Sequence, residues 1–353
     1  MTSSRTRILP PGPVSLPQIH GQDMLTHSRM SCFRTCNRKH YFSYELGIRP
    51  DRDATALRIG GCVHKALESL WRDGDLDAAL EAVASNYEVL PAWVNSDAAA
   101  RDWTIESNTV AALIIGYWNH WAAVTPIAEA VEQEFSIAIR NPDTGAASRT
   151  FTVAGKIDAI ATIDGQLAVV EHKTTGDDID PFGDYWKRLL IDQQISLYML
   201  AAKEIGHDVR TVWYDVLRKP SIRPYSATPK DKRKFKADGT LYANLRAEDE
   251  TPDEWFDRLT ADIASRPEFY FQRREIPRMD FELQEFRAEL WQTAEMIREA
   301  ERKQRWPRNT GACVGFGRCE YLDICHLGLD LTTLPTGMRR VSTVHAELKG
   351  ELE

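Results

Sequence analysis

Two runs of alternating residues, folded back on each other by Asp164-Gly165, constrain this chain more than any other feature. Thr150–Ile163 alternates in polarity, and Gln166–Thr174 follows directly after the Asp-Gly pair. That dipeptide suits a two-residue hairpin turn, so the runs predict an antiparallel pair in defined register. Leu167–Val170 is apolar on both faces, which predicts a central strand. Charge enters only at the end of that strand, in Val169-Val170-Glu171-His172-Lys173. The period of two puts Glu171 and Lys173 on one face, and Asp158 on the preceding strand can come alongside. Two carboxylates beside a lysine suit Mg²⁺ or Mn²⁺, which take oxygen ligands. The lysine can orient or deprotonate a water, or stabilise charge on a phosphate. Glu-x-Lys is equally the pattern of a salt bridge on a solvated sheet face; its place at the end of a central strand favours the functional reading. His64, one turn from Glu68, adds a possible metal ligand, although a lone helical histidine can simply pack.

The flanking segments predict an α/β core with a mixed sheet and an outer helical part. The first 24 residues carry four prolines and read as a loose arm. Ser28 can cap a helix running to Leu46, closed by Gly47 and Pro50. Helices are expected over 60–71, 76–90 and 101–123, then a strand over Val131–Arg140 with a turn at Asn141–Gly145. Pro181–Ile205 returns to helical spacing and Thr211–Leu217 reads as a strand. Residues 218–250 read as a polar loop. Helices follow at Pro252–Ser265 and Phe281–Lys303, with a short strand near Phe269–Arg274. The last 25 residues are expected to be a poorly ordered tail. A length of 353 residues allows two domains or one elaborated domain.

Lys and Arg number 44 against 52 Asp and Glu, a net charge of −8. That excludes a protein that coats nucleic acid through bulk positive charge, but not an enzyme with a local basic track. Such a track exists: Arg218–Lys236 holds eight basic residues opposed only by Asp231, with Tyr225 and Phe235 interleaved. It is either a solvated loop or a surface for phosphates and bases. Arg34, Arg38 and Lys39 form a smaller basic patch. No apolar run approaches the ~18 residues of a membrane span, and no signal-like apolar stretch opens the chain, so a cytoplasmic location is expected. The six cysteines are three near the start (Cys32, Cys36, Cys62) and three near the end (Cys313, Cys319, Cys325). That spread suggests a metal site joining the two ends. Thiolates bind iron–sulfur clusters or Zn²⁺, usually through four ligands. Cys62, inside the His64 segment, reads as a buried small hydrophobe.

Four strings in order, Gly60-Gly61-Cys62-Val63-His64…Glu68, Gly155-Lys156-Ile157-Asp158, Glu171-His172-Lys173-Thr174 and Gln194-Ile195-Ser196-Leu197-Tyr198, resemble the PD-(D/E)xK nuclease superfamily, in particular its RecB-like branch. Ile157 stands where the usual Pro would precede the Asp. The resemblance implies a restriction-endonuclease-like core, a central mixed β-sheet flanked by helices, over residues 26–326. Within it fall a helical part at about 60–125, a catalytic core at about 130–217, a basic insertion at 218–250 and an iron–sulfur region at 311–326. A flexible arm (1–25) and a tail (327–353) lie outside. It further implies that His64, Asp158, Glu171 and the carbonyl of His172 bind Mg²⁺ or Mn²⁺, that Lys173 is catalytic, and that Gln194 and Tyr198 position it or the DNA strand.

Cys36-Asn37-Arg38-Lys39-His40-Tyr41-Phe42 resembles the Cys-Pro-Arg-Lys-Phe-Tyr-Tyr string of iron–sulfur RecB-like nucleases, with Asn37 in place of the Pro. By that resemblance Cys36, Cys313, Cys319 and Cys325 would hold a [4Fe–4S] cluster; Zn²⁺ is the alternative occupant, and Cys32 the alternative ligand. The expected activity is a metal-dependent DNA exonuclease acting on single strands from an end, in phage or bacterial replication, recombination or repair. Arg38, Lys39, Lys230, Lys232, Arg233 and Lys234 would contact the DNA. The alternatives are a non-catalytic iron–sulfur DNA-binding or assembly subunit and a CRISPR-adaptation nuclease that trims DNA. No phosphate-binding Gly-x₄-Gly-Lys-[Ser/Thr] loop is present, so unwinding would fall to a separate helicase or recombination protein.

Overall fold

The computed structural model describes residues 23–315, 317–328, 333–345 and 348; most of the expected N-terminal arm and parts of the expected tail lie outside them. The chain forms two compact units, one from residues 1–52, 136–155 and 284–353, the other from 53–135 and 156–283.

In the first unit, β1 (Met24–Leu25) leads into α1 (His27–Thr35), α2 (Asn37–His40) and β2 (Ile48–Pro50). The single helix expected from Ser28 to Leu46 is broken at Cys36, whose backbone is extended (φ −163°), and Tyr41–Glu45 is wound as a wider π-type turn. The reason is tertiary. In an unbroken helix the amide of Arg38 would bond four residues back; here it donates to Pro307 O at 3.1 Å. Thr26, not Ser28, caps α1, its hydroxyl accepting from Arg29 N at 3.2 Å.

The second unit opens with three helices, α3 (Thr55–Asp73), α4 (Leu76–Glu88) and α5 (Asp97–Trp121). Apolar positions at i, i+3, i+4 spacing explain α3: Ile59, Cys62, Val63, Ala66, Leu67, Leu70 and Trp71 all turn inward. Then come β3 (Ala130–Arg140) and β4 (Ala147–Ile163), of which residues 136–140 and 147–155 belong to the first unit, followed by β5 (Gln166–Thr175), α6 (Asp184–Leu189), α7 (Gln193–Glu204) and β6 (Thr211–Arg218). The helix expected over Pro181–Ile205 is thus two: the first closes at Leu190, and Asp192 caps the second, accepting from Gln194 N at 2.7 Å. After α8 (Pro252–Ser265) and the short α9 (Pro267–Tyr270), β7 (Phe271–Ile276) completes the unit's strands. The chain returns to the first unit along α10 (Asp280–Lys303), α11 (Leu322–Leu327) and β8 (Met338–Arg340). Residues 338–340, expected to lie in a poorly ordered tail, pair antiparallel with β2.

The sheet order is β1-β4-β5-β6-β7, with β3 beside β4. The β5–β6 and β1–β4 pairs are parallel and the β4–β5 and β6–β7 pairs antiparallel, so the sheet is mixed, as expected. In the second unit one sheet face, with Ala159, Ala161 and Val170, packs against Val63, Leu67, Leu113, Tyr117, Leu259 and Ile263 of α3, α5 and α8. α7 packs on β5 and β6. Each fully buried Leu or Ile contributes about 1.5–3 kcal/mol relative to exposure.

One polar network interrupts this core. Asp215 of β6 meets Arg273 of β7 (Nε–Oδ1 3.1 Å) and accepts a hydrogen bond from the Tyr117 hydroxyl. That hydroxyl accepts from Trp71 Nε1 at 2.9 Å and from Arg273 at 2.6 Å. Burial alone would raise the Asp215 pKa, but Arg273 and the His172 ring beside it hold it down to about 2. Removing one partner of a buried pair strands the other charge without solvent, at about 3–5 kcal/mol. Asp215→Ala is therefore expected to lower the urea-unfolding free energy by about that much. Tyr117→Phe, which removes only hydrogen bonds, should cost about 1–2 kcal/mol. An Asp215→Ala variant within about 1 kcal/mol of wild type would show that the network adds little to the fold.

Candidate active site

Asp164 and Gly165 both adopt positive φ (50° and 77°), the conformation of a tight hairpin turn that matches strand twist. This sets Ile163 opposite Gln166 and Ala159 opposite Val170. One step further along, Asp158 reaches β5: its Oδ2 accepts from His172 N at 2.8 Å. Glu171 and Lys173 share a face, and Lys173 Nζ donates to Glu171 Oε1 and, at 2.8 Å, to Gln194 Oε1. Gln194 Nε2 donates in turn to the Tyr198 hydroxyl at 3.0 Å, one turn along α7. From α3, His64 Nδ1 lies 3.5 Å from Asp158 Oδ1. The second unit thus gathers His64, Asp158, Glu171, Lys173, Gln194 and Tyr198. The His172 side chain lies on the sheet face opposite Glu171 and Lys173, where Nδ1 is 3.3 Å from Asp215 and the ring meets that of His64 edge-on at 6.2 Å. Only its backbone is offered to the site.

The electrostatics separate the two carboxylates. Burial disfavours the charge on Asp158, yet His64, then His172 and Lys173, outweigh it and hold Asp158 well below the ordinary carboxylate range. Glu171 goes the other way: burial dominates, Lys173 opposes, Asp158 adds repulsion, and its pKa is pushed up to about 7. Burial works against the charged forms of His64 and Lys173, but the facing carboxylates prevail and raise both. Glu171 Oε2 is buried with no hydrogen-bond donor among the described residues. A buried acceptor without a partner and a carboxylate pushed toward its acid are what a site short of one positive charge would show. The donor set of two carboxylates, one imidazole and a backbone carbonyl therefore fits a hard divalent cation. Among the described residues, no three His, Cys, Asp or Glu side chains are drawn together as a ready-made metal cage.

A family model described as the PD-(D/E)XK nuclease superfamily matches residues 24–326. The chain belongs to that superfamily. Its members are hydrolytic nucleases that typically use Mg²⁺ or Mn²⁺. Among solved structures, the chain is similar to a protein from Eubacterium rectale described as a putative exonuclease (13% identity, 89% of this chain and 91% of that one, TM-score 0.43). A second, the protein SSO0001, shares 15% identity over 79% of this chain and 90% of its own, with a TM-score of 0.28. Comparison with curated proteins finds no match.

The six cysteines of this nuclease differ in their surroundings. In the first unit, Cys36 Sγ accepts from Asn309 N at 3.4 Å, and the Cys313 thiol lies 3.8 Å from Asn309 O. Cys319 N donates to Cys313 O at 2.9 Å. Cys319 and Cys325 both pack against the cluster of Phe42, Leu46, Ile48, Tyr321 and Ile324. None is in a disulfide. Cys32 instead packs against Tyr44 and Val344, and burial pushes its thiol up to about 12. Cys62 is buried in the core of the second unit, with its thiol likewise near 12.

The basic residues divide as well. Lys230, Lys232 and Lys234 are exposed. Arg233 is committed to its own segment, donating to Thr228 O at 2.8 Å and Ala247 O at 2.6 Å. Arg38 donates to Trp306 O at 2.8 Å and Lys39 pairs with Glu320 at 3.0 Å, so both brace the two chain ends of the first unit. Sequence reasoning missed Asp215, Arg273, Tyr117 and Tyr214. Tyr214, the register neighbour of Glu171, buries a hydroxyl with no hydrogen-bond partner among the described residues. The available signal was a lone Asp inside the otherwise apolar run Val212–Leu217.

Because the folded pKa of Glu171 lies above its unfolded value, its contribution to stability is full below about pH 4.5 and is lost as pH rises through about 7. In EDTA, Glu171→Gln is expected to match wild type near pH 5 and to be more stable by on the order of 2–3 kcal/mol at pH 8. Urea midpoints at the two pH values measure this. A pH-independent difference would mean that Glu171 is not held near neutrality.

Proposed function

We propose that this nuclease is a divalent-metal-dependent DNA exonuclease that degrades single strands from an end. The observation that carries the proposal is the chain of contacts Asp158–His172 N, Glu171–Lys173–Gln194–Tyr198, with His64 on Asp158. His64, Asp158, Glu171 and the carbonyl of His172 would hold Mg²⁺ or Mn²⁺. When bound, the cation supplies Lewis-acid stabilisation of charge on the scissile phosphate. Lys173, held protonated by its carboxylate neighbours, acts as a fixed donor to the attacking water or to a phosphate oxygen. Gln194 and Tyr198 fix its direction from α7. In the reaction the water oxygen bonds to phosphorus, the bridging P–O bond breaks, and the proton leaves to the departing oxygen or to solvent. The exposed lysines of 230–234 support a DNA track.

The reading extends to the cysteines. Cys36, Cys313, Cys319 and Cys325 would hold a [4Fe–4S] cluster that ties the chain ends together and contributes to folding. Replication, recombination or repair of DNA is the setting, with any unwinding left to another protein.

Two experiments test this. On end-labelled linear single-stranded, duplex and circular DNA with Mg²⁺ or Mn²⁺, wild type should degrade linear single strands and spare circles. Lys173→Ala and Asp158→Ala should bind DNA yet cut at least about a hundredfold more slowly, ~2.7 kcal/mol of transition-state stabilisation. Equal activity in Lys173→Ala would overturn the site assignment, and cutting of circles would make the enzyme an endonuclease. For the second, protein purified without oxygen should be brown and contain iron. Alanine at Cys36, Cys313, Cys319 or Cys325 should lose the iron, while Cys32→Ala and Cys62→Ala should keep it. Colourless protein with stoichiometric zinc would replace the cluster by a zinc staple.

A further inference from the structure

Residues 234–242 fold into a short hairpin within the long segment between β6 and α8. Phe235 bridges Leu241 antiparallel, Lys236 N donates to Thr240 O at 2.7 Å, and Tyr242 N donates to Lys234 O at 3.3 Å. The three-residue loop closes at Gly239, whose φ of +79° suits glycine, and Asp238 Oδ1 accepts from Thr240 N at 2.9 Å. Opposed residues of an antiparallel pair share a face and successive residues alternate. Lys234, Lys236 and Tyr242 therefore lie on one face, and Phe235 and Leu241 on the other.

That first face has an unusual composition. Tyr242 is 48% exposed, a large aromatic left in solvent. Lys234 and Lys236 are exposed beside it, and among the described residues neither ammonium has an ion-pair partner. Of the segment's other aromatics, Tyr225 is 51% exposed with Arg258 4.0 Å over one face of its ring, and Phe235 is 57% exposed on the opposite face of the hairpin, away from Lys234 and Lys236. Arg233 and Arg246 anchor the segment from within, Arg233 on Thr228 and Ala247, Arg246 on Glu254. The arginines hold the segment's shape, and the lysines and Tyr242 are left to face outward. On a chain of net charge −8, two unpaired cations flanking an exposed ring are complementary to a polyanion that carries flat, unstacked bases. A duplex offers the phosphates but not the base faces.

We propose that Tyr242, flanked by Lys234 and Lys236, is a base-stacking platform for single-stranded DNA. It gives this nuclease its preference for unpaired strands, and so the inference rests on the nuclease reading and supplies its substrate selectivity. The lysines take the two phosphates adjoining the stacked base.

The test measures binding in EDTA, so that cutting plays no part, by fluorescence anisotropy. Three labelled ligands are compared: oligo(dT), an abasic oligomer of equal phosphate count, and a blunt duplex. Tyr242→Ala should weaken oligo(dT) binding by about tenfold and leave the abasic oligomer and the duplex unchanged, with the salt slope preserved. Tyr242→Phe, which keeps the ring, should bind like wild type. Lys234→Ala and Lys236→Ala should weaken oligo(dT) and the abasic oligomer alike, each flattening the log–log salt dependence by about 0.7. Phe235→Ala, on the opposite face, should leave the ratio of oligo(dT) to abasic affinity as it is. The proposal is overturned if Tyr242→Ala affects the base-bearing and abasic oligomers equally, if it affects neither, or if Phe235 rather than Tyr242 sets the ratio. Failure of the nuclease reading shows separately, as absence of metal-dependent cutting by wild type whatever these affinities are.

Discussion

Strand β5 has to place ionisable side chains on both of its faces inside a packed sheet, and the surrounding structure is arranged to balance them. On one face Glu171 is met by Lys173, and Lys173 by Gln194 of α7. On the other, His172 is met by Asp215, and Asp215 by Arg273 and Tyr117. Without Lys173 and Arg273 the buried carboxylates would have to give up their charge or the strand be exposed, since desolvated ions cost several kcal/mol. The backbone between the two faces, His172 N on Asp158 and the His172 carbonyl, is thereby fixed. The buried network is thus more than packing: it holds the strand on which the candidate site is built.

The balance on the site face is incomplete. Asp158 is fully ionised by its neighbours, whereas Glu171 is left with one oxygen unpartnered and a raised pKa. Two carboxylates in one buried site with opposite shifts are a common arrangement where charge must be supplied from outside. In a PD-(D/E)XK nuclease the obvious supplier is a divalent cation. Lys173 carries one positive charge against two carboxylates, and its two hydrogen bonds go to Glu171 Oε1 and Gln194.

The first unit solves a different problem, tying two chain ends separated by most of the sequence. Arg38 on Trp306, Asn309 on Thr35, Lys39 on Glu320 and Tyr321 on Ser43 and Ile48 make that connection through ordinary bonds. Arg29, fully buried, adds contacts to Met24 O, His40, Glu45 and Glu301. The candidate cysteines sit among these contacts, so a cluster there would reinforce a junction that the protein already makes.

The sequence by itself determined whatever depends on local period and turn chemistry. The Asp164-Gly165 hairpin fixed the register, and register alone puts Asp158 beside Glu171 and Lys173. The amphipathic spacing of α3 likewise put His64 on a helix. What tertiary structure decided are the partners each polar side chain finds. Nothing near Asp215 in sequence says that it supports His172, because Arg273 and Tyr117 come from distant strands and helices. The break at Cys36 exists because Pro307 captures an amide that a local reading assigns to the helix. Arg233 and Lys234 look alike in sequence, yet the guanidinium is spent on carbonyls 5 and 14 residues away while the ammonium has no ion-pair partner among the described residues. A charge pattern gives the number of cations in a segment; only the folded backbone, with its carbonyls that must be satisfied, decides which of them remain for a ligand.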